Sequence, residues 1–162
     1  WLSSLLVLHC PQRVSHSVWM APGGTIGALS VGFWLRLLPA VILRSSVQLR
    51  KALRWMAVKP ESLQHPTMDL IALGPEVARA FRPGMVIPNV FTDDELRQIS
   101  VPITLLVGAQ EVIYKQGPIA VSERAKRLIP NVRVHVLEQA SHLLPLDCPA
   151  TLTKHILEGL SG

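Results

Sequence analysis

Two residues in the last third of the chain could carry out proton-transfer chemistry. His142 sits in "LEQASHLLP", residues 137–145, just past one apolar run and directly before another. Glu111 sits in "GAQEVIY", shortly after Gly108. An imidazole can take a proton from a hydroxyl near neutral pH. A carboxylate bonded to its second nitrogen sets the tautomer and stabilises the imidazolium. That partnership requires both loops to leave the same end of one sheet. In open α/β sheets, ligands lie beyond the carboxyl ends of the strands. The elements before each residue therefore decide whether the two meet.

"VPITLLVG" is a continuous apolar run closed by Gly108, the pattern of a strand buried on both faces over about 102–107. "PIAVSERAKRLIP" is an amphipathic helix with cationic residues near its end, "NVRVHVLE" alternates as a strand over 132–137, and "PATLTKHILEGL" is a closing helix ending at Gly159. Strand, helix, strand and helix with short connections imply a parallel sheet covered by helices. Earlier, "WLSSLLVLHC" reads as a helix stopped by Pro11, and the stretch from 14 to 20 as a short strand running into the glycine-rich "PGGTIG". Between them, residues 28 to 92 have a different texture. Apolar residues recur at helical spacing in "FWLRLLPAVIL", "VQLRKALRWMAV" and "MDLIALGPEVARAF", divided by prolines and glycines at 60, 66, 75, 83, 84 and 88. This predicts an all-helical insertion. In "FTDDELRQI", Thr92 and Glu95 have capping-box spacing ahead of a short helix over 93–98.

At both ends the residues resemble the α/β-hydrolase superfamily, in its serine carboxylesterase-like form. The segment from "VPITLLVGAQE" to "EQASHLL" resembles that family's V-P-x-L-L-x-x-G-x-x-D/E, helix, strand and G-x-G-H succession, with Glu111 at the acid position and His142 at the base position. Here the acid is Glu where the family more often has Asp, and Gln139-Ala140-Ser141 replaces the usual glycine before the histidine. At the front, Pro11-Gln12-Arg13-Val14 and Ala21-Pro22-Gly23-Gly24 match the family's P-E-R-V and A-P-A/G-G. The resemblance implies a partial α/β-hydrolase fold, a mostly parallel sheet covered by helices. The core would comprise 1–27 and 93–162, with 28–92 as a helical cap. It also implies that the G-x-S-x-G nucleophile turn lies before Trp1. On that reading the chain carries the acid and base without the serine and has no activity by itself. The alternative is a truncated remnant that acts as a binding or interaction module.

Other serines and acids are weaker candidates. Ser30 in "ALSVG" keeps the chain order Ser, Glu, His, but "PGGTIG" before it is a poor strand, and such a turn needs one. The expectation is a small residue at a helix start. Ser3 and Ser4 lack flanking glycines. Asp147 is an alternative acid lying too close in sequence to His142 for the family layout. "PGGTIG" is not a dinucleotide fingerprint.

Composition narrows the partners. The 162 residues carry a net charge of +5, but the cations from Arg36 to Arg127 are scattered and do not interleave with aromatics. A solvated basic exterior is expected, with no nucleic-acid partner. Cys10 and Cys148 match no metal spacing, and no metal or organic cofactor is implied. Residues 26–43 are mostly apolar but contain Arg36 and Pro39, so a groove-lining helix is expected in place of a membrane span. No signal-peptide pattern precedes the first helix, and a cytoplasmic protein with reduced thiols is expected. The expected partner is a small-molecule ester or acyl substrate. Self-association through an exposed sheet edge is the further expectation, because three strands leave edges unpaired.

Overall fold

The computed structural model describes residues 1–77 and 88–160. Helix α1 (Leu2–His9) ends where Cys10 N–H bonds the Leu6 carbonyl and Pro11 opens a single 3₁₀ turn, Pro11–Arg13. Strand β1 (Ser17–Met20) follows. Helices α2 (Val31–Leu43), α3 (Ser46–Met56) and α4 (Pro66–Val77) come next, and a 3₁₀ turn, Pro60–Gln64, joins α3 to α4. The rest of the chain is α5 (Asp93–Arg97), β2 (Ile103–Gly108), α6 (Gly117–Leu128), β3 (Val132–Leu137), α7 (Leu144–Asp147) and α8 (Pro149–Leu160).

The three strands form one parallel sheet in the order β1-β2-β3. Ser17 pairs with Ile103 through to Met20 with Leu106, and Ile103 pairs with Val132 through to Gly108 with Leu137. β1 is shorter than the pattern over 14–20 predicts. Its ladder begins where Ser17 N–H meets the Pro102 carbonyl, and Pro102 has no N–H with which to extend it backward. Every residue of β2 is buried, because it is the middle strand and both its faces are covered. Its alternation divides the core. Ile103, Leu105 and Val107 pack with Trp19, Val7 and the α6 residues Val121, Ala125 and Leu128. Leu106 faces the other way, toward Leu137, Leu144 and Leu152. All three strands run in one direction, so the segments after Met20, Gly108 and Leu137 emerge at one end of the sheet.

Three helical features differ from their sequence pattern or refine it. Pro39 lies inside α2, and Pro75 falls inside α4 without ending it. At Pro39 the carbonyl left without an N–H partner is that of Leu35, on the exposed side of the helix, where water can serve it. The predicted continuation of the α4 pattern to Phe81, with the breaks at 83 and 84, lies outside the described residues. α2 buries Ala40 and exposes Val31, Leu35 and Ile42 on the opposite face. Among the described residues, no helix is long and apolar enough to cross a membrane.

Two local devices return the chain from these helices to the sheet. Thr92 caps α5 by accepting from Glu95 N–H at 3.2 Å, and Glu95 accepts from Thr92 N–H at 2.7 Å. The Thr92 N–H, with the Thr92 hydroxyl donating to the same oxygen at 3.0 Å, holds the Glu95 carboxyl below its ordinary range. Arg124, on α6, donates to the carbonyls of Ile26 and Phe91 and pairs with Asp93 at 2.7 Å. One guanidinium thus joins the segment after β1, the approach to α5, and α5 itself.

Arg124→Met leaves two carbonyls without their charged donor and is expected to destabilise the fold by roughly 2–3 kcal/mol in chemical denaturation. A second expectation concerns pH. The rings of His135 and His155 stack with centroids 4.0 Å apart, and burial first, then the His155 charge, lowers the His135 pKa. A lowered folded value means that protons favour the unfolded chain. The contribution is present above the ordinary histidine value and is lost as pH falls through the lowered one. His135→Gln should therefore reduce the acid-side loss of thermal stability.

Candidate active site

The end of β2 turns tightly, with Glu111 N–H bonding the Gly108 carbonyl at 3.1 Å. The Glu111 side chain then folds back beneath its own loop. Oε1 accepts from Val112 N–H at 2.9 Å and Ile113 N–H at 3.1 Å, and Oε2 lies 3.0 Å from His142 Nδ1. The carboxylate side chain is 0 % exposed. Two backbone donors and a ring nitrogen offset its removal from water, since buried carboxylates persist where such donors are supplied. With a proton on Nδ1, the ring donates to Glu111 and leaves Nε2 as the acceptor. The His142 side chain remains 29 % exposed.

The two loops are held together by their backbones. Ala109 N–H bonds the Leu137 carbonyl at 2.9 Å, and Gln110 N–H bonds the Ala140 carbonyl at 3.0 Å. The Gln110 side chain adds a bond to the Glu138 carbonyl at 3.3 Å. This approach requires glycine at 108: a Cβ there would stand 2.3 Å from the Ala140 oxygen and 2.7 Å from that of Ser141. The loop with Gln139-Ala140-Ser141 in place of glycine adopts no positive φ. Among the described residues, non-glycine positive φ occurs at Ala21 and Arg44. The freedom that a glycine would bring before the histidine is not used in this loop.

His142 faces a cleft of about 510 Å³. Leu29 and the α2 residues Phe33, Trp34 and Leu37 line it, together with Trp1 at the start of α1 and Ala21 just past β1. His142 is the only ionisable side chain among the described lining residues. Ala21, at the end of β1, holds φ at 40°, a conformation that costs a non-glycine residue about 1–2 kcal/mol and that clusters at functional sites.

The remaining candidates lie elsewhere or are otherwise engaged. Ser30 is the N-cap of α2: its Oγ accepts from Phe33 N–H at 3.1 Å and donates to the Val112 carbonyl at 3.3 Å. It braces the Glu111 loop without lining the cleft. Ser3 and Ser4 lie on α1, Ser3 exposed and Ser4 fully buried. His16 meets Thr104, and His155 meets Glu158, away from the cleft. Asp147 does not approach the ring as an acid partner. Its carboxylate is buried, accepting from Ser141 N–H at 3.0 Å and from Ser62 Oγ at 2.8 Å. Tyr114, next to the Glu111 loop, is buried, and desolvation together with the Glu111 charge raises its pKa, so it stays neutral. Neither this bonding of Asp147 nor the burial of Tyr114 is legible from residue types and spacing. One partner of Asp147, Ser62, comes from a segment 85 residues away that no local pattern reveals.

No family model matches the chain. Among curated proteins it is similar to an uncharacterized carboxylesterase, nap, of Bacillus subtilis strain 168. That match is 27% identical over 165 residues, covering 93% of this chain and 50% of the relative. A shorter match to the carboxylesterase YbfK of the same strain is 39% identical over 75 residues, 46% of this chain and 25% of the relative. The crystal structure of naproxen esterase from Bacillus subtilis superposes with a TM-score of 0.78 at 29% identity, covering 96% of this chain and 54% of that one. The chain thus spans about half the length of the relatives it matches over most of its own.

Gly108→Ala places a methyl group against the Ala140 carbonyl. The expected cost is about 1–3 kcal/mol in denaturation. The His142 ring resonances should change with it, because the loop that carries the ring must yield.

Proposed function

We propose that this chain, a member of the α/β-hydrolase superfamily, supplies the acid and base of a serine hydrolase that cleaves an ester or related acyl bond. The single observation that carries the reading is the 3.0 Å contact between a fully buried Glu111 carboxylate and a cleft-facing His142. In the reaction, His142 Nε2 takes the proton of a serine hydroxyl as the oxygen attacks the acyl carbon. Glu111 holds the proton on Nδ1 and stabilises the imidazolium. Collapse of the tetrahedral intermediate passes the proton from His142 to the leaving alcohol. Water then repeats the cycle on the acyl-enzyme. Backbone N–H groups hold the oxyanion in each half.

The serine of this reading belongs to a polypeptide segment outside residues 1–162. Trp1 and His142 line the same cleft, so a segment joined to Trp1 would be delivered beside the ring. Ser30 has its hydroxyl committed to the cap and the Val112 carbonyl. Residues 28–92 serve as the cap over a core of 1–27 and 93–162, with Phe33, Trp34 and Leu37 forming an apolar wall for the acyl or alcohol group.

Fluorophosphonate labelling tests the reading. Residues 1–162 alone should remain unlabelled and leave p-nitrophenyl butyrate intact. The chain extended upstream through a Gly-x-Ser-x-Gly turn should be labelled at that serine and hydrolyse the ester. His142→Ala in that extended chain should lower kcat by about 10⁴-fold or more. Labelling of Ser30 would reassign the nucleophile. An extended chain that stays unreactive would favour a non-catalytic binding module.

A further inference from the structure

Glu111 restrains the His142 ring, and a second carboxylate restrains the backbone that carries it. Asp147 closes α7, five residues after His142, and turns back so that Oδ2 accepts from Ser141 N–H at 3.0 Å. The 141–147 segment thereby becomes a closed loop with His142 inside it. The other oxygen, Oδ1, accepts from Ser62 Oγ at 2.8 Å, and Lys59 Nζ donates to the Asp147 carbonyl at 2.7 Å. Ser62 and Asp147 are both almost wholly buried. Ser62 sits in the turn between α3 and α4, and Lys59 directly precedes that turn. Ser62 and Asp147 are 85 residues apart in sequence, and the Ser62 hydroxyl is the donor to Oδ1.

We infer that Asp147 and Ser62 form a positioning latch through which the α3–α4 connector holds the His142 loop in register with Glu111. The inference rests on His142 being the base of the proposed reaction. A buried carboxylate deprived of a donor is destabilised unless it turns to find another. In turning, Oδ2 leaves the Ser141 amide, and the loop is free to shift. Small displacements of a general base are costly in rate, of the order of a hundredfold for 1 Å. The latch therefore makes the helical segment a support of the proton-transfer geometry as well as a wall of the cleft. Neither Asp147 nor Ser62 is among the cleft-lining residues, and their side-chain hydrogen bonds go to Ser141 and to each other, so both are positioning residues.

The test uses the full chain with Ser62→Ala and Asp147→Asn, and Ala125→Gly on α6 as a destabilised control remote from the loop. Two quantities are read: hydrogen exchange of the Ser141 amide relative to global opening, and the ¹⁵N tautomer pattern of the His142 ring. The expected result is a tenfold or greater acceleration at Ser141 in both latch variants, with the ring passing from the single Nδ1–H tautomer to a mixture. Ala125→Gly should leave both unchanged relative to global stability. Unchanged exchange and an unchanged tautomer in both latch variants would overturn the latch, as would the same change in the control. These spectra need no substrate. An extended chain without esterase activity would therefore count against the reaction and leave the latch result standing.

Discussion

A charged carboxylate without access to water sets the terms for this end of the molecule. Glu111 survives burial because its own loop donates two backbone N–H groups to one oxygen and His142 meets the other. That arrangement requires the loops after β2 and β3 to lie against each other. Contact between the loops in turn requires glycine at 108, where no side chain fits beneath the Ala140 and Ser141 carbonyls. The parallel register of β2 with β3 places Gly108 opposite Leu137, so both loops start at one level. The histidine geometry is thus a consequence of strand register and one glycine, with the carboxylate held by the chain that turns around it.

The helices between β1 and β2 share in this support. Ser30 caps α2 and bonds the Val112 carbonyl, so the start of α2 is tied to the acid loop. The α3–α4 connector reaches Asp147 through Ser62 and Lys59. Arg124 then secures the return to the sheet by joining Ile26, Phe91 and Asp93. The links are polar, all but the exposed Arg124–Asp93 pair are partly or wholly buried, and each joins segments far apart in the chain. An apolar core of alternating β2 residues gives the sheet its thickness. These polar links orient the loops at its end.

Much of this is legible in the residue types and their spacing. The 102–107 run read as a buried strand because an all-apolar stretch of that length, closed by glycine, suits a strand covered on both faces. The Thr92–Glu95 spacing read as a capping box because the two side chains and their amides lie within one turn. Glu111 and His142 stand just past two strand patterns, one continuously apolar and one alternating. The sequence pattern starts β1 three residues too early, because the absent N–H that ends its ladder belongs to Pro102, just before the neighbouring strand. Pro75 read as a divider although α4 passes through it. Asp147 reads in sequence as an alternative acid for the ring, and its bond to a backbone amide is not visible from residue types.

What the sequence determined by itself is local: which stretches are strands or helices, where caps and turns fall, and that the strands run parallel with helical crossovers. Those features depend on side-chain period and on backbone preferences within a few residues. Only the tertiary structure decided that Glu111 and His142, 31 positions apart, stand 3.0 Å from each other, and that Ser62 reaches Asp147. Such contacts depend on how packed elements sit against one another, to within an ångström, and no dihedral preference along the chain encodes that distance.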